Sequence, residues 1–167
     1  ENFGQTVAHG TPFYYAIEEG LIDPERYIML GIRAPHETAL MDETRERGVT
    51  VLTAEDVHML GVDVVAGHIR RVLGDRPSYL TFDVDGLDPA FAPGTGTPEI
   101  GGLHSWQTRA IMARLTAIPF VGMDVVEVAP PFDTAEITAL AAATVVFDYL
   151  ALMQTQGLLP PGAGGAS

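Results

Sequence analysis

Four short apolar runs constrain this chain most: Tyr27–Ile32, Val49–Leu52, Ser78–Val84 and Phe120–Val128. Runs of this length, bounded by turn residues, read as strands rather than helices. Helix-like segments separate them. Thr11–Gly20 has Thr11 to cap it, Pro12 in its first turn and Gly20 to end it. Glu37–Arg47 is a charged helix stopped by Gly48. A helical stretch starts at Thr53, and another runs from Val62 to Leu73, stopped by Gly74. His104–Leu115 follows, with Ser105 as its cap, and Thr134–Gln154 is a long Ala-rich helix. Strands apolar on both faces, alternating with helices, predict an α/β fold around a parallel sheet covered on both sides. Residues 1–157 contain no repeat and no linker and read as part of one domain. The Pro/Gly/Ala tail 158–167 is expected to be disordered.

Composition narrows the classes. The chain has 167 residues, enough for one domain with a real core and too few for two ordinary ones. Hydrophobic residues make up 47% and charged residues 19%, a globular balance rather than a disordered one. No apolar run reaches the roughly 18–20 residues that span a bilayer, so no membrane partner is expected. No basic segment followed by an apolar stretch opens the chain. There is no cysteine, which excludes disulfides and thiolate metal sites and fits a cytoplasmic location. The formal net charge of −13 repels phosphate backbones, so nucleic acid is not expected as a partner. The same charge would steer a cationic substrate, or simply keep the protein in solution. Residue 1 is Glu, and Glu1-Asn2-Phe3-Gly4 reads as the middle of a loop, so the chain is expected to lack a natural beginning.

In parallel sheets ligands bind beyond the carboxyl ends of the strands. There, Phe82-Asp83-Val84-Asp85-Gly86-Leu87-Asp88 carries three carboxylates within six residues. On a strand, Asp83 and Asp85 would point to one side, roughly 6–7 Å apart. Two ionised carboxylates facing one way at a buried sheet edge need a cation between them. Oxygen donors favour Mg, Ca or Mn. The tripeptide alone also fits a capped strand end with solvated acids. The following loop, Pro89 to Leu103, holds three prolines and four glycines, which give it a nearly fixed path suited to a site wall.

The segment Phe82–Ala90, with Pro93-Gly94-Thr95-Gly96-Thr97-Pro98 and Gly101-Gly102-Leu103, closely resembles a signature of the ureohydrolase (arginase/agmatinase) family. Ala8-His9-Gly10-Thr11-Pro12-Phe13 resembles the agmatinase-type His-Gly-Thr segment, and Gly31-Ile32-Arg33 resembles the strand that follows it. Val121–Pro130 resembles the segment carrying the guanidinium-binding Glu. The resemblance runs without a gap from Phe3 to Met153. It implies a three-layer α/β/α sandwich and manganese-dependent hydrolysis of a guanidino compound to urea and an amine. Agmatine to putrescine is the expected reaction within the family, with guanidinobutyrate or a related amidino compound as the alternative. By position, Asp83 would bridge two Mn²⁺ ions and Asp85 would bind one. Glu127 would hold the guanidinium, and His9 would act beside it as a proton carrier or polar contact. The resemblance also implies a homo-oligomer, trimer or hexamer, acting on a small cationic substrate.

One departure follows from the same resemblance. The family's other four metal ligands lie in a Gly-Gly-Asp-His and an Asp-Ala-His-x-Asp motif that precede the His-Gly-Thr segment. Here that segment begins at residue 9 and neither motif is present, so the α/β/α fold is expected to be incomplete at the N-terminus. The chain by itself is therefore expected to be inactive. A non-catalytic homologue or assembly module, and an unrelated metal enzyme using only the Asp-x-Asp, stand as readings of other classes. Of the remaining residues, Asp124 lies inside a strand and reads as a structural hydrogen bonder. His36, His58 and His68 lack partners at ligand spacing and read as surface or half-buried. His104 is placed to line a pocket but reads as structural. The apolar face of Thr134–Gln154 reads as core or subunit contact.

Overall fold

The predicted alternation is realised in residues 7–34 and 38–158, which the computed structural model describes. The elements are α1 (Pro12–Glu18), β1 (Ile28–Ile32), α2 (Thr38–Glu46), β2 (Thr50–Thr53), α3 (Ala54–Leu60), α4 (Val62–Leu73), β3 (Ser78–Asp83), α5 (Ser105–Met112), β4 (Phe120–Val126) and α6 (Ile137–Thr155). His36, Glu37 and the tail beyond Leu158 lie outside the described residues, as do Glu1–Gly4.

The helix ends differ from expectation where another polar group competes for the cap. Thr11 precedes α1 but does not cap it. Its hydroxyl donates to the Ala8 carbonyl at 2.9 Å and accepts the Ala8 amide at 3.0 Å, closing the turn that carries His9. Ser105 is the first residue of α5 rather than its cap; the His104 amide donates to the Gln107 side chain at 3.0 Å. At α3, where the sequence predicts only a helix start at Thr53, a full capping box forms. Thr53 Oγ1 accepts the Asp56 amide at 3.1 Å, and the Asp56 carboxylate accepts the Thr53 amide at 2.8 Å.

The strands form two parallel pairs, β1 with β2 and β3 with β4. Among the described residues no ladder joins the pairs. Gly31, at φ +82°, makes a bulge between Leu30 and Ile32. The space around it would admit a Cβ, so the left-handed backbone is what selects glycine. The bulge brings the end of β1 beside Gly86 and Leu103. A parallel bridge between Leu87 and Leu103 closes the long loop after β3.

The helices bury a main core against these strands, and a smaller cluster of Met41, Val49 and Val51 packs with β1 and β2. The main core includes Val57, Val65, Ile69, Val84, Ile118 and Phe120, with Tyr149 and Leu152 from α6. Each such side chain stabilises the fold by about 1.5–3 kcal/mol. Helix α6 corrects the expectation about apolar runs: its 19 residues, with a mean hydropathy of 1.6, are long and apolar enough to cross a membrane by length and composition alone. Its buried residues Thr138, Ala142, Val145, Tyr149 and Leu152 recur every three or four positions, the stripe of a helix packed on a core. Its one charge, Asp148, pairs with Arg109 at 2.8 Å.

Candidate functional site

The acidic strand end departs from a simple strand. β3 stops at Asp83, and Val84–Gly86 is a 3₁₀ turn. The Asp83 carboxylate accepts the Asp85 amide at 2.8 Å, and this local bond breaks the period of two assumed for a strand. Val84, fully buried, anchors the turn in the core between the two aspartates.

Asp85 is held by the loop that follows. The Thr97 hydroxyl donates to its Oδ2 at 2.6 Å, and the Thr95 hydroxyl is in close contact with its Oδ1. Thr95 Oγ1 also lies 3.0 Å from the Glu127 carbonyl oxygen, so it ties the β3 end to the β4 end. The Gly94 amide donates to the buried Thr138 hydroxyl at 2.7 Å, and the Ala129 amide donates to the Gly94 carbonyl at 2.8 Å. Two glycines are fixed by space. A Cβ on Gly94 would sit 2.7 Å from Asp133 Cα, and one on Gly102 would sit 2.5 Å from the Asp88 amide nitrogen. Asp88 accepts the amides of Ala90, Gly101 and Gly102 at 2.9, 2.8 and 3.2 Å. These bonds, that from Ala90 foremost, hold its carboxyl below the usual range and make it the staple of the loop.

Asp83 faces the opposite electrostatics. Burial of its carboxyl group pushes the pKa up to about 6. The Asp85 amide opposes the rise, the charges of Asp85 and Glu127 add to it, and Arg33 opposes it again. Glu127 is therefore within electrostatic reach of Asp83. The register explains why: Asp83 pairs with Val126, and Glu127 is the next residue. Glu127 has φ +65°, rare for a non-glycine residue and costing about 1–3 kcal/mol, which ends β4 two residues earlier than predicted. Among the described residues it has no ion pair, and its carboxylate lies over Gly96, where a Cβ would be 4.0 Å from Oε2.

Asp83, Asp85 and Glu127 thus converge at the carboxyl ends of β3 and β4. His9 is exposed in the Ala8–Thr11 turn and makes no hydrogen bond to these three among the described residues. Asp124 accepts a hydrogen bond from Thr81 across the pair at 2.6 Å, the structural role its place within β4 predicts. His58 has a partner that spacing did not reveal: its Nε2 lies 3.1 Å from the Gly102 carbonyl oxygen, and its ring is 5.3 Å from that of His104. Sequence reasoning also missed Arg33, Thr95, Thr97 and Asp88 as site builders. An arginine at a strand end and two threonines inside a Gly/Pro loop were the signals available.

No group of three or more His, Asp or Glu among the described residues is arranged to hold a metal ion. Asp83 and Asp85 offer hard oxygen donors at one strand end, and two carboxylates do not by themselves complete a divalent-cation donor set.

The family model described as "Arginase family" matches residues 1–151. The chain belongs to the arginase family. It is 50% identical over 149 residues to a guanidinopropionase of Pseudomonas aeruginosa, covering 87% of this chain and 46% of that protein. It is 48% identical over 153 residues to an agmatinase of Photorhabdus laumondii, covering 92% of this chain and 48% of that protein. A crystal structure of a hypothetical agmatinase from Burkholderia thailandensis superposes with a TM-score of 0.83 at 47% identity, covering 91% of this chain and 46% of that one. The proclavaminate amidino hydrolase of Streptomyces clavuligerus gives 0.83 at 42% identity, covering 92% and 51%. The arginase-family chain thus has the arginase α/β fold over its own length and spans about half the length of the curated relatives it matches.

Proposed function

We propose that the complete protein hydrolyses a guanidino compound to urea and an amine with two manganese ions, and that this chain supplies two of the metal ligands and the guanidinium carboxylate. The observation that carries the reading is the meeting of Asp83 and Glu127 at adjacent parallel strand ends, with Glu127 in a strained backbone and in no ion pair among the described residues. Relatives named for hydrolysing guanidino compounds support it.

In this reading Asp83 and Asp85 hold the divalent ions, and Thr95 and Thr97 fix the orientation of Asp85. Bound metal would supply a hydroxide near neutral pH by lowering the pKa of water. Glu127 meets the planar N–H donors of the guanidinium, a pairing that is short and directional. Guanidinium is a resonance-stabilised, poor electrophile, so this fixed geometry matters as much as the nucleophile. His9 would carry a proton or contact the substrate once the rest of the protein brings the 8–11 turn to the site. The net charge of −13 favours arrival of a cation. A cytoplasmic homotrimer or hexamer is part of the same reading.

Agmatine is the first substrate to test. A guanidino acid is the second, because a guanidinopropionase is 50% identical over 149 residues. The experiment is a urea assay of full-length protein with Mn²⁺ and agmatine, guanidinopropionate or guanidinobutyrate. Release of urea from one of them, abolished by Asp83→Asn or Asp85→Asn, is expected. No urea from any of the three would sink the enzyme reading in favour of a non-catalytic homologue.

A further inference from the structure

Arg33 follows β1 and is half-buried. Arg45, Arg47, Arg109 and Arg114 each pair with a carboxylate. Arg33 instead donates to backbone carbonyls of three separate segments. Its Nη2 reaches the Asp85 oxygen at 2.8 Å and the Leu87 oxygen at 3.2 Å, in the turn after β3. Its Nε reaches the Glu99 oxygen at 3.0 Å, on the far limb of the Gly/Pro loop. Its Nη1 reaches back to Gly31 of β1 at 3.4 Å. A half-buried cation is costly unless its donors are satisfied, and here carbonyls satisfy them without neutralising it.

The location matters because no strand ladder joins β1 to β3 among the described residues. The guanidinium spans that break at the point where Asp83 and Asp85 leave the sheet. The guanidinium spreads five N–H donors over a rigid plane and so reaches carbonyls on three segments at once; a lysine ammonium has three donors on one nitrogen and a shorter reach.

We propose that Arg33 is a positioning residue for the Asp83–Asp85 pair, fastening the Val84–Leu87 turn and the Glu99 limb so that both carboxylates meet a divalent cation together. The cation rests on the function proposed above; the fastening does not. The test uses full-length protein carrying Arg33→Lys, with Arg47→Lys as control. Amide exchange is measured on metal-free protein at Leu87, Asp88 and Leu103, whose amides bond Val84, Leu103 and Gly86. Manganese affinity is measured by titration. Arg33→Lys should keep the wild-type circular dichroism and unfolding midpoint, speed exchange at those amides by about tenfold, and weaken manganese binding by about 10–100-fold. At saturating manganese it should lower kcat with KM nearly unchanged. Arg47→Lys should do none of this. Wild-type exchange and affinity in Arg33→Lys would overturn the proposal, and so would global unfolding of both Arg33→Lys and Arg33→Gln, which would make Arg33 a general fold residue. If wild-type protein binds no manganese, the metal reading fails by itself. The exchange data then judge the fastening alone, and unchanged protection overturns it.

Discussion

Single atoms decide much of the loop after β3. Gly102 has no room for a Cβ because the backbone of Leu87 and Asp88 fills the space, and Gly94 abuts Asp133 in the same way. Backbone cannot yield as a side-chain tip can, so Gly102→Ala is expected to destabilise by about 1–3 kcal/mol. Gly61→Ala, which has open space, costs through its positive φ alone. Urea unfolding of the two variants checks the difference in kind: Gly102→Ala should also expose the 86–103 loop to protease, and Gly61→Ala should not. Thr97 acts through chemistry rather than space. Its hydroxyl orients Asp85, so Thr97→Val in full-length protein should weaken manganese binding by about 10–100-fold while the unfolding midpoint of the metal-free protein holds. Equal midpoints with equal affinity would show that Asp85 needs no such orientation.

The start of α3 is where sequence and structure agree most closely, and it carries a pH prediction. The Thr53 side chain, then its amide, donate hydrogen bonds that hold the Asp56 carboxyl below its usual range. The folded-state pKa is thus depressed relative to the unfolded chain. The sign follows: the stabilisation is present above the ordinary aspartate range near pH 4 and is lost as pH falls through the folded-state value. Asp56→Ala should lower stability by about 1 kcal/mol at pH 7. That difference from wild type should shrink steadily below about pH 4. Denaturant midpoints across pH 2.5–7 test this, and a gap independent of pH would exclude the cap as its source. In α6 the pattern tells a different story. Its composition alone would pass for a membrane span, and only the buried stripe ending in Tyr149 and Leu152 identifies a core helix.

Taken together, the described elements make two parallel pairs packed on a shared main core, with no ladder joining the pairs among the described residues. Unpaired strand edges are templates for association. The 167-residue chain alone is therefore expected to unfold at lower denaturant than full-length protein and to self-associate as concentration rises, measurable by light scattering. With manganese and agmatine it is expected to release no urea above the metal-only blank, because its described residues hold no complete metal donor set. Urea from this chain would refute the account of the site.

The amino-acid order was enough to reveal the alternation of strands and helices, the acidic end of β3 and the Gly/Pro loop behind it, because hydrophobic periodicity and turn residues are local properties of the chain. It also pointed to Asp83, Asp85 and Glu127, through motifs whose residues lie close together in the chain. Burial, register and long-range hydrogen bonds decided the rest. Arg33 reaches carbonyls 52 to 66 positions away, and Thr95, which holds Asp85, reaches the Glu127 carbonyl 32 positions on. The pKa of Asp83 is raised first by burial and then by the charges of Asp85 and of Glu127, the latter placed by the β3–β4 register. No local pattern encodes such pairs, because the partners are far apart in the chain and meet only in the tertiary structure.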